Sequence, residues 1–152
     1  MSDKKTIHLA TDHAGLELKD FIKKYLTELG LLIVDHGPSE LVADDDYPDY
    51  VIPAVEAAVK SGELAIVLGG SGQGEAIAAN KVVGARAVVY YGGSEEILRL
   101  SRQHNNANVL SLGARFLTHD EVVNAIKVWL ASDYTNDNRH VRRLEKIANY
   151  EA

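Results

Sequence analysis

The chain contains no cysteine, which removes disulfides, thiolate nucleophiles, zinc–thiolate sites and iron–sulfur clusters together. Its chemistry must therefore run on oxygen and nitrogen groups. Long apolar runs are also missing: a stretch such as Leu64 to Leu68 falls far short of the roughly 18 residues that span a bilayer. A membrane-spanning protein is thereby excluded. Positive charge is in deficit, with 16 Lys+Arg against 22 Asp+Glu and a formal charge of −6. That balance argues against bulk binding to nucleic acid or to an anionic membrane, and leaves room for one small anion held by a local basic cluster. The start, Met1 to Lys5, is basic, but only Ile7 to Ala10 follows before polar Thr11, Asp12 and His13, so no cleaved export signal is expected. With 152 residues, 46% of them hydrophobic, the chain suits one globular domain over residues 1–152 that buries about two thirds of its unfolded surface.

Short apolar runs alternate with segments of helical spacing. Ile7 to Ala10 reads as a strand, and from Leu16 the apolar residues step by three and four through Phe21, Ile22, Tyr25, Leu26 and Leu29, with Gly30 as the helix stop. Leu31 to Asp35, Leu64 to Leu68, Ala85 to Tyr91 and Val109 to Leu112 read as further strands. Helices are expected from Pro53 to Ser61, with proline in the first turn, from Ala76 to Lys81, from Ser94 to Gln103, and from the Thr118/Glu121 capping box to Ala131. Asp44, Asp45 and Asp46 read as a solvated loop. The alternation implies an α/β protein with a parallel sheet covered on both faces. Residues 138–150 are helical in composition and basic at their start, which suits a terminal arm.

In open parallel sheets ligands sit beyond the carboxyl ends of the strands. Two segments fall there: Asp12-His13-Ala14-Gly15 after the first strand, and Gly69-Gly70-Ser71-Gly72-Gln73-Gly74-Glu75 after the third. A run so rich in glycine turns tightly and gathers N–H groups for a phosphate or an oxyanion, unless it is a plain turn. It lacks the Lys-Ser/Thr of a P-loop and the spacing of a dinucleotide fingerprint. Ser71 is better suited to hydrogen bonding than to acyl transfer, because the nucleophile-elbow pattern fails at Gln73. Glu75 is either a first-turn residue favoured by the helix dipole or a positioned general base. The six histidines, at positions 8, 13, 36, 104, 119 and 140, show no metal-ligand spacing. Arg139 and Arg143, four apart, share one helix face; they suit a phosphate clamp, or a solvated face paired with Glu145.

Taken together, these segments resemble the ribose-5-phosphate isomerase B family, which includes galactose-6-phosphate isomerase subunits. The matching pieces are Thr11 to Gly15, Asp46-Tyr47-Pro48, GGSGQGEAIAANK from Gly69, Gly84 to Ala87, SRQHNNANVLSLGAR from Ser101, and Arg139-His140 with Arg142-Arg143. The resemblance implies a Rossmann-like three-layer α/β/α sandwich with a five-stranded parallel sheet, and a homodimer or homotetramer with shared sites. It also implies aldose–ketose isomerisation through a cis-enediolate in the cytoplasm, without metal or organic cofactor. Part of the family carries a cysteine base where this chain has Gly69, so the chain resembles the branch in which Glu75 is the base. By the same resemblance Gly70, Ser71, Gly72, Gln73 and Gly74 hold the enediolate and hydroxyls, and Asp12 and His104 open the sugar ring. Asn105 orients the sugar, and His13, Arg115, Arg139 and Arg143, with His140 as a further contact, hold the phosphate. The last two arginines are expected from a neighbouring subunit. The sugar is ribose 5-phosphate on this reading, with galactose 6-phosphate, a tetrose phosphate, or binding without turnover as alternatives.

Overall fold

Strands Thr6–Ala10 (β1), Leu32–Asp35 (β2), Leu64–Gly69 (β3), Ala87–Tyr90 (β4) and Val109–Gly113 (β5) lie parallel in one sheet, in the order β2-β1-β3-β5-β4. This computed structural model describes residues 4–152. Met1, Ser2 and Asp3, part of the segment read for an export signal, lie outside the described residues. Among the described residues no helix is long and apolar enough to cross a membrane.

Side chains alternate across each strand, and the three central strands carry mostly apolar side chains on both sides. Ile7, Leu9, Ile66, Leu68, Leu110 and Leu112 pack on Ile22 and Leu26 of helix Leu16–Glu28 (α1), Leu98 of Glu96–Gln103 (α4), and Ile126 and Trp129 of His119–Ala131 (α5). The opposite face, with Ala65, Val67 and Val109, packs on Val51, Val55 and Ala58 of Pro48–Ser61 (α2) and Ala79 of Gln73–Ala79 (α3). The parallel three-layer sandwich expected from the alternation is therefore what forms. His8, on β1, is buried and hydrogen-bonds His36 and Glu63, each at 2.9 Å; its role is structural.

Three helix starts differ from the sequence expectation. Helix α2 begins at Pro48, not Pro53: Pro48 takes the first-turn position, where its missing N–H is harmless, and Pro53 lies inside the helix. Helix α3 starts at Gln73, ahead of Ala76, because the glycine loop turns directly into it through Gly72 at φ 78°. Helix α4 starts at Glu96, while the Ser94 hydroxyl still accepts from the Glu96 N–H at 3.2 Å. The Thr118/Glu121 capping box forms as expected. Tyr90 is buried and donates to the Gly93 carbonyl, whereas Tyr91 is half exposed.

Two topological facts position the functional residues. Strands β1 and β3 are neighbours whose following connections depart in opposite directions, which opens a crevice at their carboxyl ends. Residues 104–108, by contrast, precede β5 and lie at the amino edge, where the Asn108 N–H donates to the Arg86 carbonyl just before β4. The final helix, Asn138–Glu151 (α6), starts at that same edge, and only His140 of its residues is buried. Ile147 and Tyr150 on this helix stay 54% and 92% exposed.

Candidate active site

The crevice is lined by the segments that follow β1 and β3. The Thr11 hydroxyl donates to the Leu68 carbonyl at 2.9 Å and ties one to the other. Asp12, also buried, accepts from the Ala14 N–H at 2.9 Å and starts the short turn His13–Gly15. The loop from Gly69 is clasped from β5: Ala114 and Arg115 N–H groups donate to the Gly69 and Gly70 carbonyls at 2.8 and 3.1 Å, and the Ser111 hydroxyl donates to Gly72 at 2.6 Å. Ser71 Oγ accepts from the Gln73 N–H at 3.3 Å, so the hydroxyl is held at the loop's tip.

Glu75 is 4% exposed and turns back under this loop. A Cβ placed on Gly69 would fall onto the Glu75 carboxyl group, so the carboxylate occupies the space a side chain at position 69 would need. Burial raises the Glu75 pKa against the lowering effect of its own backbone N–H, and the nearby Asp12 charge raises it further. A first-turn glutamate is ordinarily made more acidic; here desolvation wins, already without a sugar over it. Gly69→Ala is expected to displace this carboxylate. A misplacement of that scale costs on the order of 100-fold in rate, which a kcat measurement on the folded variant checks.

Two further glycines give close approach to functional side chains. The Arg115 guanidinium lies over Gly70, its Nη1 3.1 Å from where a Cβ would stand, and Tyr47 Oη lies 2.6 Å from the equivalent point on Gly74. Tyr47 thus reaches the site, although the sequence reading gave it no role beyond a matching motif. The second omission is Asp45. Its Oδ1 accepts from the His13 N–H at 3.0 Å and from His13 Nδ1 at 2.8 Å, and its side chain is only 5% exposed. The solvated-loop reading of Asp44-Asp45-Asp46 therefore fails at Asp45, because the backbone and ring of His13 hold its carboxylate inward. No local pattern marks this, since the partners are 32 residues apart in sequence.

An ionised Asp45 only accepts, so Nδ1 of His13 carries the proton and Nε2 points away from this contact. The hydrogen bond to Asp45 raises the His13 pKa, helped by the Asp12 charge and opposed by burial and Arg115. His13 is thereby kept cationic to higher pH, beside the Arg115 charge, as an anion site requires. Asp12, His13 and Asp45 also bring donor atoms within 4.8 Å of one another, but the 2.8 Å His13–Asp45 separation is that of a hydrogen-bonded pair. Asp45→Asn is expected to lower the His13 pKa. The rise of KM with increasing pH should begin earlier than in the wild type, and a pH series of KM with an NMR titration of His13 checks it.

The structure brings together Asp12, His13, Gly70 to Gly74, Glu75 and Arg115. It does not bring His104, Asn105, Arg139, His140 or Arg143 to them. Those residues cluster at the amino edge of the sheet, where the His104 and His140 rings stack at 4.2 Å. Burial lowers the His140 pKa, with His104 and Arg139 adding to the effect and Asp137 opposing it. His140 packs face to face on His104. Arg139 and Arg143 are exposed on α6. The two clusters are separated by the length of β5, five residues or about 16 Å at roughly 3.3 Å per residue.

Fold and site together define a doubly wound α/β protein with a buried carboxylate under a glycine loop, beside a cationic histidine: an arrangement for proton transfer on a small anionic substrate. Residues 7–147 match the model of the Ribose/Galactose Isomerase family, and the chain belongs to that family. It is 41% identical over 146 residues to ribose-5-phosphate isomerase B of Mycobacterium leprae, covering 95% of this chain and 89% of the relative. Its fold is similar to that of ribose-5-phosphate isomerase B from Mycoplasma genitalium, solved with bound ribulose-5-phosphate, at a TM-score of 0.92 and 38% identity over 99% of this chain and 98% of that one. The enzyme from Clostridium thermocellum superposes at a TM-score of 0.89, with 38% identity over 96% and 97% of the two chains.

Proposed function

We propose that the chain interconverts D-ribose 5-phosphate and D-ribulose 5-phosphate. The observation that carries this reading is the Glu75 carboxylate, buried under the glycine loop with its pKa raised, in a family whose relatives are named for this reaction. Glu75 takes the proton from C2 of the open-chain aldose and returns it to C1 on the same face, while the O1 and O2 hydroxyl protons rearrange through the enediolate. The N–H groups of Gly70 to Gly74 stabilise the oxyanion, and Ser71 and Gln73 hold the hydroxyls. His13 and Arg115 take the phosphate.

The site is completed by a second copy of the chain. His104 opens the ring opposite Asp12, Asn105 orients the sugar, and Arg139 and Arg143, with His140 behind them, close on the phosphate. Residues 138–150 act as an arm from the single domain, reaching the partner subunit in a homodimer or a pair of dimers. This chemistry belongs to the pentose phosphate pathway in the cytoplasm, and needs no metal or organic cofactor. The test is ribulose 5-phosphate formation from ribose 5-phosphate by protein treated with chelator. Turnover is expected to be undiminished by that treatment. Silence with ribose 5-phosphate but turnover of galactose 6-phosphate or a tetrose phosphate would replace the substrate, and silence with all three would leave a binding protein.

A further inference from the structure

At the amino edge of the sheet lies a cavity of about 650 Å³, away from the crevice that holds Glu75. Its wall carries Lys4, Lys5, Arg86 and Arg102, with Asn106 and Asn108 between them. Four cations in one concavity are notable in a chain of net charge −6. The lining carboxylate, Glu63, already accepts from His8 Nε2 at 2.9 Å.

Both arginines are half-buried, and neither has a carboxylate within 4.0 Å among the described residues. Arg86 donates from Nε to the Asn106 carbonyl at 2.8 Å and from Nη1 to Gly84 at 3.2 Å. Arg102 donates from Nε to Ser132 at 3.2 Å and from Nη1 to Ala107, with its guanidinium 5.3 Å from the centre of the Trp129 ring. These bonds fix both side chains, and among the described residues neither Nη2 group has a hydrogen-bond partner. Burial lowers both pKa values; Glu151 and Tyr134 oppose this at Arg86, while at Arg102 Asp133 opposes it and the Arg86 charge adds to it. Rigid, partly desolvated guanidiniums repelling one another are stabilised by an anion placed between them.

We propose that this cavity is a second anion site, which takes a free phosphorylated small molecule carrying at least two negative charges, independently of the sugar-phosphate crevice. Its size lies within the usual range for small-molecule sites, about 300–1,000 Å³. Exposed Lys4 and Lys5 draw the anion in, and the guanidiniums hold it by charge-assisted bonds that weaken with salt.

Pyrophosphate is the probe, followed by calorimetry at low ionic strength. Arg86 and Arg102 also hold backbone carbonyls, so the diagnostic variant is the exposed pair Lys4→Glu/Lys5→Glu. Binding is expected to weaken at least tenfold in that variant and to persist in Arg115→Ala, which is altered only at the catalytic crevice. Sugar-phosphate turnover in the lysine variant stays at the wild-type level. Pyrophosphate binding that disappears in Arg115→Ala and is unchanged in the lysine variant overturns the proposal, as does no binding by the wild type. A lysine variant that loses self-association while the wild type binds no pyrophosphate shows instead that carboxylates of a second copy fill the cavity.

Discussion

Glu75→Gln is expected to lower kcat by about 100- to 10,000-fold, the contribution of a positioned general base, with KM nearly unchanged. The amide is isosteric with the carboxylate, so the packing under Gly69 and the glycine loop above it should persist. The pH dependence carries a further expectation. Glu75 works as a base only when ionised, and burial raises its pKa. The acidic limb of kcat/KM should therefore lie above the ordinary glutamate value of about 4.3, because activity falls as pH drops through the raised pKa. Stability should respond with the opposite sense. A carboxyl group with a raised pKa in the folded state favours folding least when fully ionised, so wild-type stability falls as pH rises through the window between the ordinary and raised values. Glu75→Gln lacks that dependence, and its melting temperature should equal or exceed the wild type's at neutral pH. A variant that lost stability and activity together would assign Glu75 a structural role.

Mixing two inactive variants is expected to restore activity. Glu75→Gln disables the glycine-loop cluster, and Arg139→Ala combined with His104→Ala disables the cluster at the amino edge. If each complete site takes one cluster from each copy, a hybrid dimer contains one intact site and one doubly altered site. An equimolar, fully exchanged mixture then contains half hybrids and recovers about one quarter of wild-type activity, as two-fold symmetry requires. Co-purification of two differently tagged variants followed by a turnover assay reads this directly. Activity in the mixture no higher than in either parent would require the two clusters to work separately.

Much of the fold is legible in local patterns, since β1, β3 and β5 are short buried runs and α1 and α5 carry their own stop and start signals in Gly30 and the Thr118/Glu121 box. The start of α2 is not legible locally, because Pro48 and Pro53 both suit a first turn and only tertiary packing selects between them. Glu75 and the glycine loop stood out because they follow a strand directly. Asp45 and Tyr47 did not, because each acts across a fold contact, on His13 and over Gly74. Nor does residue order reveal that His104 lies at the opposite edge of the sheet from Asp12; the parallel crossover through α4 decides that.

The crowding of Glu75 against Gly69 has an evolutionary consequence. The resemblance implies a branch of the family with a cysteine base at the position of Gly69, at the strand end, whereas the base proposed for this chain, Glu75, stands in the first turn of α3. One pocket has no space for both side chains, so adding a thiol before removing the glutamate displaces the Glu75 carboxylate. Removing the glutamate first leaves no base at all. The two branches are thus joined by a pair of substitutions whose individual steps are both costly, and residues 69 and 75 should change together or not at all.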